Sequence, residues 1–340
     1  MTDILIKSFN RPHYLDRCLI SIQKYVEGEY KITVLDDGTP KKYLDKIKNK
    51  FPEVEIRLSD QYPEKIKAIQ ANLDSGKEID GFQIPISLWK EAVKESSDYF
   101  ILTEDDVWFT EKINVDELEM SMREYDMVLI KLGWVSNKRI KSDFDRLNKD
   151  LTAVQPRIFS APRCFLKEFI FQKKWKVYSL LYRMGIVDKT TMSEYWTMNA
   201  LLMGMYRKDY WLTLWNTLNT RVDEQEQLLN AIEWYRKHKR PNLYGKLNFE
   251  MMKTTFQSSA TNSYHKYGND FDVNTYNFIM NEEWYHDKLD AMTDFPLDFS
   301  ESTISTILKE RKNQRATPEA WKVWSDKFKD QYRKQGVIVD

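Results

Sequence analysis

The stretch Tyr99-Phe100-Ile101-Leu102-Thr103-Glu104-Asp105-Asp106 joins an apolar run to three consecutive acidic residues. The four residues before Thr103 predict a buried strand. Ligands of open parallel sheets bind outside the carboxyl ends of the strands. Clustered buried carboxylates need a nearby cation, and their oxygen atoms suit Mg²⁺ or Mn²⁺. The stretch therefore predicts a Mg²⁺ or Mn²⁺ site at the end of a sheet strand.

Two earlier apolar runs also end in polar groups. Residues 4–6 precede Ser8-Phe9-Asn10-Arg11, and residues 32–35 precede Asp36-Asp37. Apolar residues at helical spacing from Leu15 to Ile22 predict a helix between the two runs. Strands that alternate with helices indicate a largely parallel sheet, so the polar groups meet at one edge. The acidic pair also fits a helix cap, and that alternative stays open.

The remaining apolar patterns predict further strands and helices. Further strands are predicted at residues 54–58 and 127–130, with a helix near 88–93, a mostly helical stretch at 195–235, a polar loop at 256–272 and a charged helical end from 303. We expect a nucleotide-sugar-binding half at 1–150, an acceptor-binding half at 151–300 in the same domain, and a helical tail at 301–340. The expected class is α/β, with a mixed, mainly parallel central sheet.

The amino-acid composition counts against several classes of function. Lysine plus arginine and aspartate plus glutamate number 52 each, which gives no basic excess for nucleic acid. The 10 glycines form neither a dinucleotide fingerprint nor a P-loop. The 2 cysteines fit a reducing compartment, and no signal sequence or membrane-spanning run is visible. We expect a cytoplasmic protein, with peripheral attachment to the inner face of a membrane as the alternative.

The three motifs together resemble inverting glycosyltransferases of the GT-A fold, particularly family 2. Residues 4–22 resemble the opening of that family, and Val34-Leu35-Asp36-Asp37-Gly38-Thr39 is similar to its second-strand signature. Glu104-Asp105-Asp106 stands where the family has its D-x-D-type motif, in a form similar to N-acetylglucosaminyltransferase I. The resemblance covers about the first 110 residues. It implies a GT-A, Rossmann-like nucleotide-binding fold and a nucleotide-sugar donor.

The resemblance also implies roles for single residues. Asp37 accepts a hydrogen bond from a pyrimidine, which favours UDP, and Asp106 holds the metal that bridges the diphosphate. The donor-binding residues are Ser8, Asn10, Arg11, Asp37, Glu104 and Asp105. The sequence departs from the family at Thr103, where an acid is usual, and in lacking the customary Arg-Asn helix before the metal motif.

An inverting transferase needs a general base for the acceptor hydroxyl. Related enzymes place an acid at a helix start after the metal motif, and Glu194 matches that position, with Asp188 in reserve. The alternative is that Glu194 only complements the dipole of its helix. The resemblance suggests His265 as a second metal ligand on a late polar loop, against the alternative of an ordinary surface histidine.

The C-terminal helix has an aromatic stripe. Trp321, Trp324, Phe328 and Tyr332 recur at helical spacing among lysines. The stripe predicts packing against its own domain or a second copy in a homodimer, with peripheral contact to an anionic membrane as the other reading.

The sequence thus predicts an inverting, metal-dependent transfer from a UDP-sugar to a hydroxyl of a glycan or lipid-linked acceptor, with surface polysaccharide synthesis as the setting. A sugar-nucleotidyltransferase is the second reading, but residues 7–11 lack the glycine-rich loop expected of it. A non-catalytic carbohydrate- or nucleotide-binding protein is the third. The intact acids Glu104 to Asp106 and Glu194 count against it.

Overall fold

The computed structural model of the chain describes residues 1–77, 79, 82–134, 141–218, 222–260, 271–335 and 339. His265 lies outside the described residues, as does most of the predicted loop at 256–272. Within the described residues, no helix is long and apolar enough to cross a membrane.

In the part of the chain that the structure describes, thirteen strands form one large sheet and two short ladders. Their bounds are β1 Thr2–Ser8, β2 Val26–Glu27, β3 Tyr30–Asp36, β4 Glu55–Leu58, β5 Tyr99–Glu104, β6 Val107–Phe109, β7 Ile113–Asn114, β8 Leu129–Lys131, β9 Asp143–Arg146, β10 Leu151–Gln155, β11 Gly204–Arg207, β12 Tyr244–Leu247 and β13 Met252–Thr254. The large sheet has the order β4-β3-β1-β5-β11-β8-β12-β10-β9. β6 pairs with β13, and β2 with β7.

The first four strands of this order are all parallel, because helices connect them on the faces of the sheet. β11 then runs antiparallel to both of its neighbours, β5 and β8, while β8 and β12 are parallel. The α/β class and the mixed, mainly parallel central sheet are therefore confirmed. The predicted boundary near residue 150 falls in the turn between the paired strands β9 and β10, and the three-part division remains a prediction.

Thirteen α-helices are assigned among the described residues. They are α1 Pro12–Tyr25, α2 Lys41–Lys50, α3 Tyr62–Ser75, α4 Ile86–Glu95, α5 Val115–Glu124, α6 Arg163–Phe165, α7 Val177–Arg183, α8 Thr191–Tyr195, α9 Lys208–Leu214, α10 Glu224–Lys237, α11 Val273–Tyr285, α12 Glu301–Arg311 and α13 Pro318–Gln335. A π-helical turn spans Leu166–Phe171, and 3-10 turns span Lys174–Lys176 and Trp196–Met198. The predicted helix after the first strand is α1, which begins at Pro12 and buries its whole apolar stripe.

Two hydrophobic cores lie on opposite faces of the sheet, because successive side chains of a strand alternate between faces. Ile4 and Ile6 belong to the core that contains α1, α11 and α13. Leu5 and Leu35 belong to the other core, with α4, α9 and α10. Burial on both faces explains why the central strands are continuous apolar runs.

The C-terminal helix α13 packs against its own domain. Trp321 and Trp324 are fully buried, and Trp321 stacks on Tyr276 of α11 at 6.4 Å between ring centroids. Its indole Nε1 donates to the carbonyl of Gln257 at 3.1 Å. The predicted packing of this stripe against its own domain is therefore confirmed for its two tryptophans, and peripheral membrane contact through the same helix remains a prediction.

Truncating Trp321 tests this packing. Trp321→Ala is expected to lower the free energy of unfolding by about 3–5 kcal/mol, because it leaves a cavity and an unpaired buried carbonyl. Val323→Ala is the matched control, since Val323 lies on the same helix and is 45% exposed, and it should cost less than about 0.5 kcal/mol. Urea denaturation measures both variants. Equal stability of the two would contradict the docked position of α13.

Candidate functional site

The end of β3 is shaped by Asp36. Its carboxylate accepts hydrogen bonds from the Ser8 hydroxyl at 2.8 Å and from the backbone N–H groups of Gly38 and Thr39 at 3.1 and 2.8 Å. Burial raises the pKa of Asp36 to about 6, against the lowering effect of these hydrogen bonds. Asp36 and Ser8 thus hold the turn that follows β3 against the end of β1.

The next residue, Asp37, has one carboxylate oxygen in use. Oδ2 pairs with the ammonium of Lys65 from α3, which also donates to the carbonyl of Gln83 at 2.7 Å. Oδ1 is buried and accepts no well-formed hydrogen bond from the described residues. Burial raises the pKa of Asp37, and the Lys65 ammonium and Ser59 hydroxyl oppose that rise. Oδ1 therefore keeps unused acceptor capacity.

Arg11 bridges two of the three consecutive acids. Its NH2 group donates to Asp105 Oδ1 and its NH1 group to Asp106 Oδ2, each at 2.5 Å. Burial alone would lower the pKa of Arg11, but the neighbouring carboxylates outweigh it and raise that pKa. Burial also raises the pKa of Asp105 and Asp106, and the guanidinium charge opposes this effect. The cation that the acidic cluster requires is thus supplied in part by Arg11.

Asp105 and Asp106 differ in how their oxygens are used. Asp105 is fully buried, and its second oxygen accepts from the Phe9 N–H at 2.9 Å. Asp106 Oδ1 is buried without a hydrogen-bond partner among the described residues. Asp105 is therefore committed to holding the first loop, whereas Asp106 keeps one acceptor oxygen unused.

A divalent cation was expected beside these acids. No group of three or more histidine, cysteine, aspartate or glutamate side chains within the described ranges forms a metal cluster. Mg²⁺ is commonly held by only one or two carboxylates together with substrate phosphates. The unpartnered Oδ1 of Asp106 fits that pattern, so the residues present are compatible with a metal that binds together with a diphosphate.

Asn10 takes part in the internal structure of the loop. It has a φ of 50°, a left-handed conformation that asparagine tolerates better than most residues. Its side-chain amide donates to Asn274 of α11 at 3.0 Å, and its backbone N–H donates to Thr39 Oγ1 at 2.9 Å. Asn10 therefore fixes the loop after β1 between α11 and the turn after β3.

Lys7 connects the first half to the second. Its ammonium lies 2.5 Å from Glu104 Oε1, donates to the carbonyl of Leu201 at 3.1 Å, and sits 5.0 Å from the ring centroid of Trp89. Lys131 at the end of β8 likewise donates to the carbonyl of Trp196 at 2.5 Å. Two lysines thus attach the segment after α8 to the sheet.

Glu194 and Asp188 lie on either side of the start of α8. Glu194 is buried, and its oxygens accept from the Lys141 N–H and the Ser142 hydroxyl. Asp188 pairs with the Lys141 ammonium at 2.6 Å, and this contact together with Thr190 lowers the pKa of Asp188. Both acids therefore hold the chain near residue 141.

A cavity of about 1400 Å³ lies beside this segment. Its walls include Asp188 and Ser193, Lys131 and Lys246 from the sheet, and Trp108 and Thr254 from the short β6–β13 ladder. The N–H of Thr255, the residue after Thr254, donates to the carbonyl of Asp106 at 3.3 Å, so one backbone hydrogen bond links the chain beside this wall to the acidic cluster. Burial and Lys246 lower the pKa of Lys131 to about 8, against Glu250.

Sequence reasoning did not identify Lys65, Lys7 or Lys131 as site residues. Lys7 is an interruption in an apolar strand, and a charged side chain there needs a partner. That signal was present in the sequence. Lys65 and Lys131 carry no comparable signal, because their partners are distant in the chain.

No protein-family model and no curated protein matches the sequence. Solved structures that resemble the fold include TarS 1–349 of S. aureus in complex with UDP-GlcNAc, with a TM-score of 0.42 and 13% identity over 92% of this chain and 72% of that one. Galactosyltransferase LgtC, in complex with donor and acceptor sugar analogs, has a TM-score of 0.31 and 14% identity over 68% and 70%. Mouse xyloside xylosyltransferase 1 has a TM-score of 0.31 and 8% identity over 70% and 83%.

Proposed function

We propose that the chain is a metal-assisted glycosyltransferase that takes a sugar from a UDP-sugar. The observation that carries the proposal is the pair of unused carboxylate oxygens on Asp37 and Asp106, at the ends of strands on either side of β1. These ends lie roughly 10 Å apart, about two strand spacings. One carboxylate oxygen would therefore accept a hydrogen bond from a nucleobase, and the other would bind a cation at a diphosphate.

The donor end would work through charge and hydrogen bonding. Asp37 Oδ1 would accept the N3–H of uracil, while the Lys65 ammonium favours the ionised form of that carboxylate against the effect of burial on its pKa. Asp106 Oδ1 is the oxygen that would hold Mn²⁺ or Mg²⁺, which stabilises the negative charge on a departing diphosphate. Arg11 keeps Asp106 in place and supplies positive charge at the same end of the sheet.

The acceptor would occupy the cavity beside α8. We assign Glu194 as the general base because it lies at the start of α8, and because the Lys141 ammonium that pairs with Asp188 lowers the pKa of Asp188 and makes it a weaker base. Glu194 must release the Ser142 hydroxyl to take the acceptor proton. As Glu194 takes the proton, the hydroxyl oxygen would attack the anomeric carbon from the face opposite the diphosphate, and the bond from that carbon to UDP would break, so this single displacement would invert the anomeric centre. The acceptor is a hydroxyl of a glycan or of a lipid-linked oligosaccharide.

A non-catalytic nucleotide-binding protein is the second candidate. The observation that favours it is the pairing of the Arg11 guanidinium with both Asp105 and Asp106. This pairing already neutralises part of the charge that a metal would otherwise neutralise. Calorimetry of UDP with and without Mn²⁺, followed by an assay for hydrolysis of UDP-sugars, separates the two. Metal-dependent UDP binding with hydrolysis supports the transferase. UDP binding without turnover of any sugar nucleotide supports the binding protein, and no UDP binding overturns both.

Asp37→Asn tests the proposed hydrogen bond between Asp37 and the uracil ring. Uracil presents an N–H at N3 where cytosine presents an acceptor, so the parent chain should bind UDP more tightly than CDP. The variant is expected to reduce that preference by roughly 10- to 100-fold, because a hydrogen bond to a charged group is lost. Calorimetry with both nucleotides measures the change. Asp45→Asn, at an exposed acid paired with Lys41, is the control, and an unchanged preference in Asp37→Asn would contradict the assignment.

A further inference from the structure

Residues 172–186 present large apolar side chains to solvent. Trp175 is 83% exposed, Leu180 56%, Met184 54%, Ile186 48% and Tyr182 43%. Single exposed apolar residues are common, but five such side chains within one short stretch of chain are typical of an interaction surface. We call these five residues, two of which lie on α7 and three beside it, the apolar surface of α7.

The apolar surface is held in place from beneath. Phe171, Leu181 and Val187 are buried in the core that contains α9 and α10. The Tyr178 hydroxyl donates to the carbonyl of Asp188 at 2.9 Å. The same stretch therefore has an inner side that anchors it and an outer side without protein cover among the described residues.

Positive charge surrounds the apolar surface. Lys173, Lys174, Lys176, Arg183 and Lys189 lie within it or at its edges, and all five are exposed. The acids within or beside this stretch of chain are Glu168, which pairs with Lys174, and Asp188, which pairs with Lys141; Glu224 lines the neighbouring cavity. The chain as a whole has a net charge of zero, so this local basic excess is a property of the surface and not of the composition.

We propose that the apolar surface of α7 docks on an anionic lipid bilayer. Exposed tryptophan, leucine and methionine side chains enter the boundary between headgroups and acyl chains, while lysine and arginine contact the anionic headgroups. A second copy of this chain fits less well. A twofold interface brings the same patch of both copies together, so these cations would face each other.

The apolar surface also borders the large cavity. Lys173, Tyr178, Tyr182 and Lys189 line that cavity as well. Docking therefore places one rim of the cavity at the bilayer. If the proposed function holds, an acceptor carried in the membrane enters the cavity from this side, and this last step alone rests on that function.

Sedimentation with vesicles tests the docking. The full chain should bind vesicles of phosphatidylcholine mixed with phosphatidylglycerol, bind phosphatidylcholine alone far more weakly, and lose affinity as salt rises. Trp175→Ser should lower the partition coefficient roughly tenfold, because a large apolar side chain no longer enters the lipid. Lys176→Glu should lower it at least about fivefold, the expected contribution of one basic residue near an anionic surface.

Matched controls keep the test specific. Met120→Ser on α5 removes an apolar side chain that is 65% exposed, and Lys309→Glu reverses an exposed charge on α12. Both should bind vesicles as the parent chain does. Absence of binding to anionic vesicles, or full binding by Trp175→Ser, overturns the proposal. Self-association that Trp175→Ser abolishes in analytical ultracentrifugation overturns it too, in favour of a second copy.

The same variants distinguish this inference from the proposed function. UDP binding measured by calorimetry should be unchanged in Trp175→Ser, because Trp175 takes no part in the donor end of the sheet. Vesicle binding without UDP binding would overturn the transferase and leave the membrane surface standing. UDP binding without vesicle binding would overturn the membrane surface and leave the proposed nucleotide site standing.

Discussion

Asp106→Asn is expected to abolish the strengthening of UDP binding by Mn²⁺ and to lower sugar transfer by roughly 10²- to 10³-fold, the usual effect of losing one group that stabilises charge in the transition state. The amide removes the negative charge that Asp106 would offer a metal, while its oxygen still accepts from Arg11. Folding should therefore persist. Calorimetry of UDP with and without Mn²⁺ and a transfer assay measure the two effects.

Asp105→Asn provides the contrast to this variant. Both oxygens of Asp105 are bonded, one to Arg11 and the other to the Phe9 N–H. Its replacement should lower the melting temperature, since it disturbs a buried charge pair. The metal dependence of UDP binding should remain. Full Mn²⁺ dependence in Asp106→Asn, or its loss only in Asp105→Asn, would overturn the assignment of the metal oxygen.

Glu194→Gln is expected to lower sugar transfer by roughly 10²- to 10⁴-fold with UDP affinity unchanged, because it removes a general base and leaves the donor end intact. Glutamine keeps one acceptor oxygen for the Lys141 N–H or the Ser142 hydroxyl, so most of the local structure should survive. Asp188→Asn is the matched variant, with a smaller expected loss. Transfer rates are compared with the melting temperature of each variant.

The structure also offers a purely structural role for Glu194. If Glu194→Gln retains transfer but melts at a lower temperature, Glu194 only anchors residues 141 and 142. If Asp188→Asn shows the larger loss of transfer at unchanged UDP affinity, Asp188 is the base. Either result would leave the donor-end assignments untouched, because Asp37 and Asp106 belong to other strands.

The first half of the fold was predictable from local patterns. β1, β3 and β5 are apolar runs, and α1 has a clear apolar stripe after a proline. The helix α3 was not predicted, because few of its residues are buried and its apolar face is narrow. β11, with the sequence Gly-Met-Tyr-Arg, was read as part of a helical stretch. Its strand conformation comes from pairing on both sides, and tertiary contacts of this kind override local preference.

The location of the candidate site was predictable from the sequence, but its internal contacts were not. Parallel strands bring their carboxyl ends to one edge, so the proximity of Ser8, Asp36 and Glu104 follows from the strand order. The partners of these residues did not follow. Arg11 meets Asp105 across 94 positions of the chain and Lys7 meets Leu201 across 194, and no local pattern encodes such contacts.

The two aromatic segments show what a stripe can and cannot indicate. The spacing of Trp321 and Trp324 correctly predicted one buried helix face, but spacing alone did not say what covers it. Trp175 stands at helical spacing from Phe171, Tyr178 and Tyr182 and was not singled out, yet it is 83% exposed while Phe171 is buried. Exposure of a large ring depends on the path of the chain, which only the structure provides.

The position of β11 limits how the molecule can move. β11 is hydrogen-bonded to β5 on one side and to β8 on the other, so the sheet continues without a break from β4 to β9. Proteins built of two lobes often close on a ligand by rotating about a hinge. Here that rotation would break backbone hydrogen bonds in the middle of the sheet. Entry and exit of ligands are instead expected to depend on local rearrangements at the rim of the cavity, and loop motions of this kind typically take nanoseconds to microseconds.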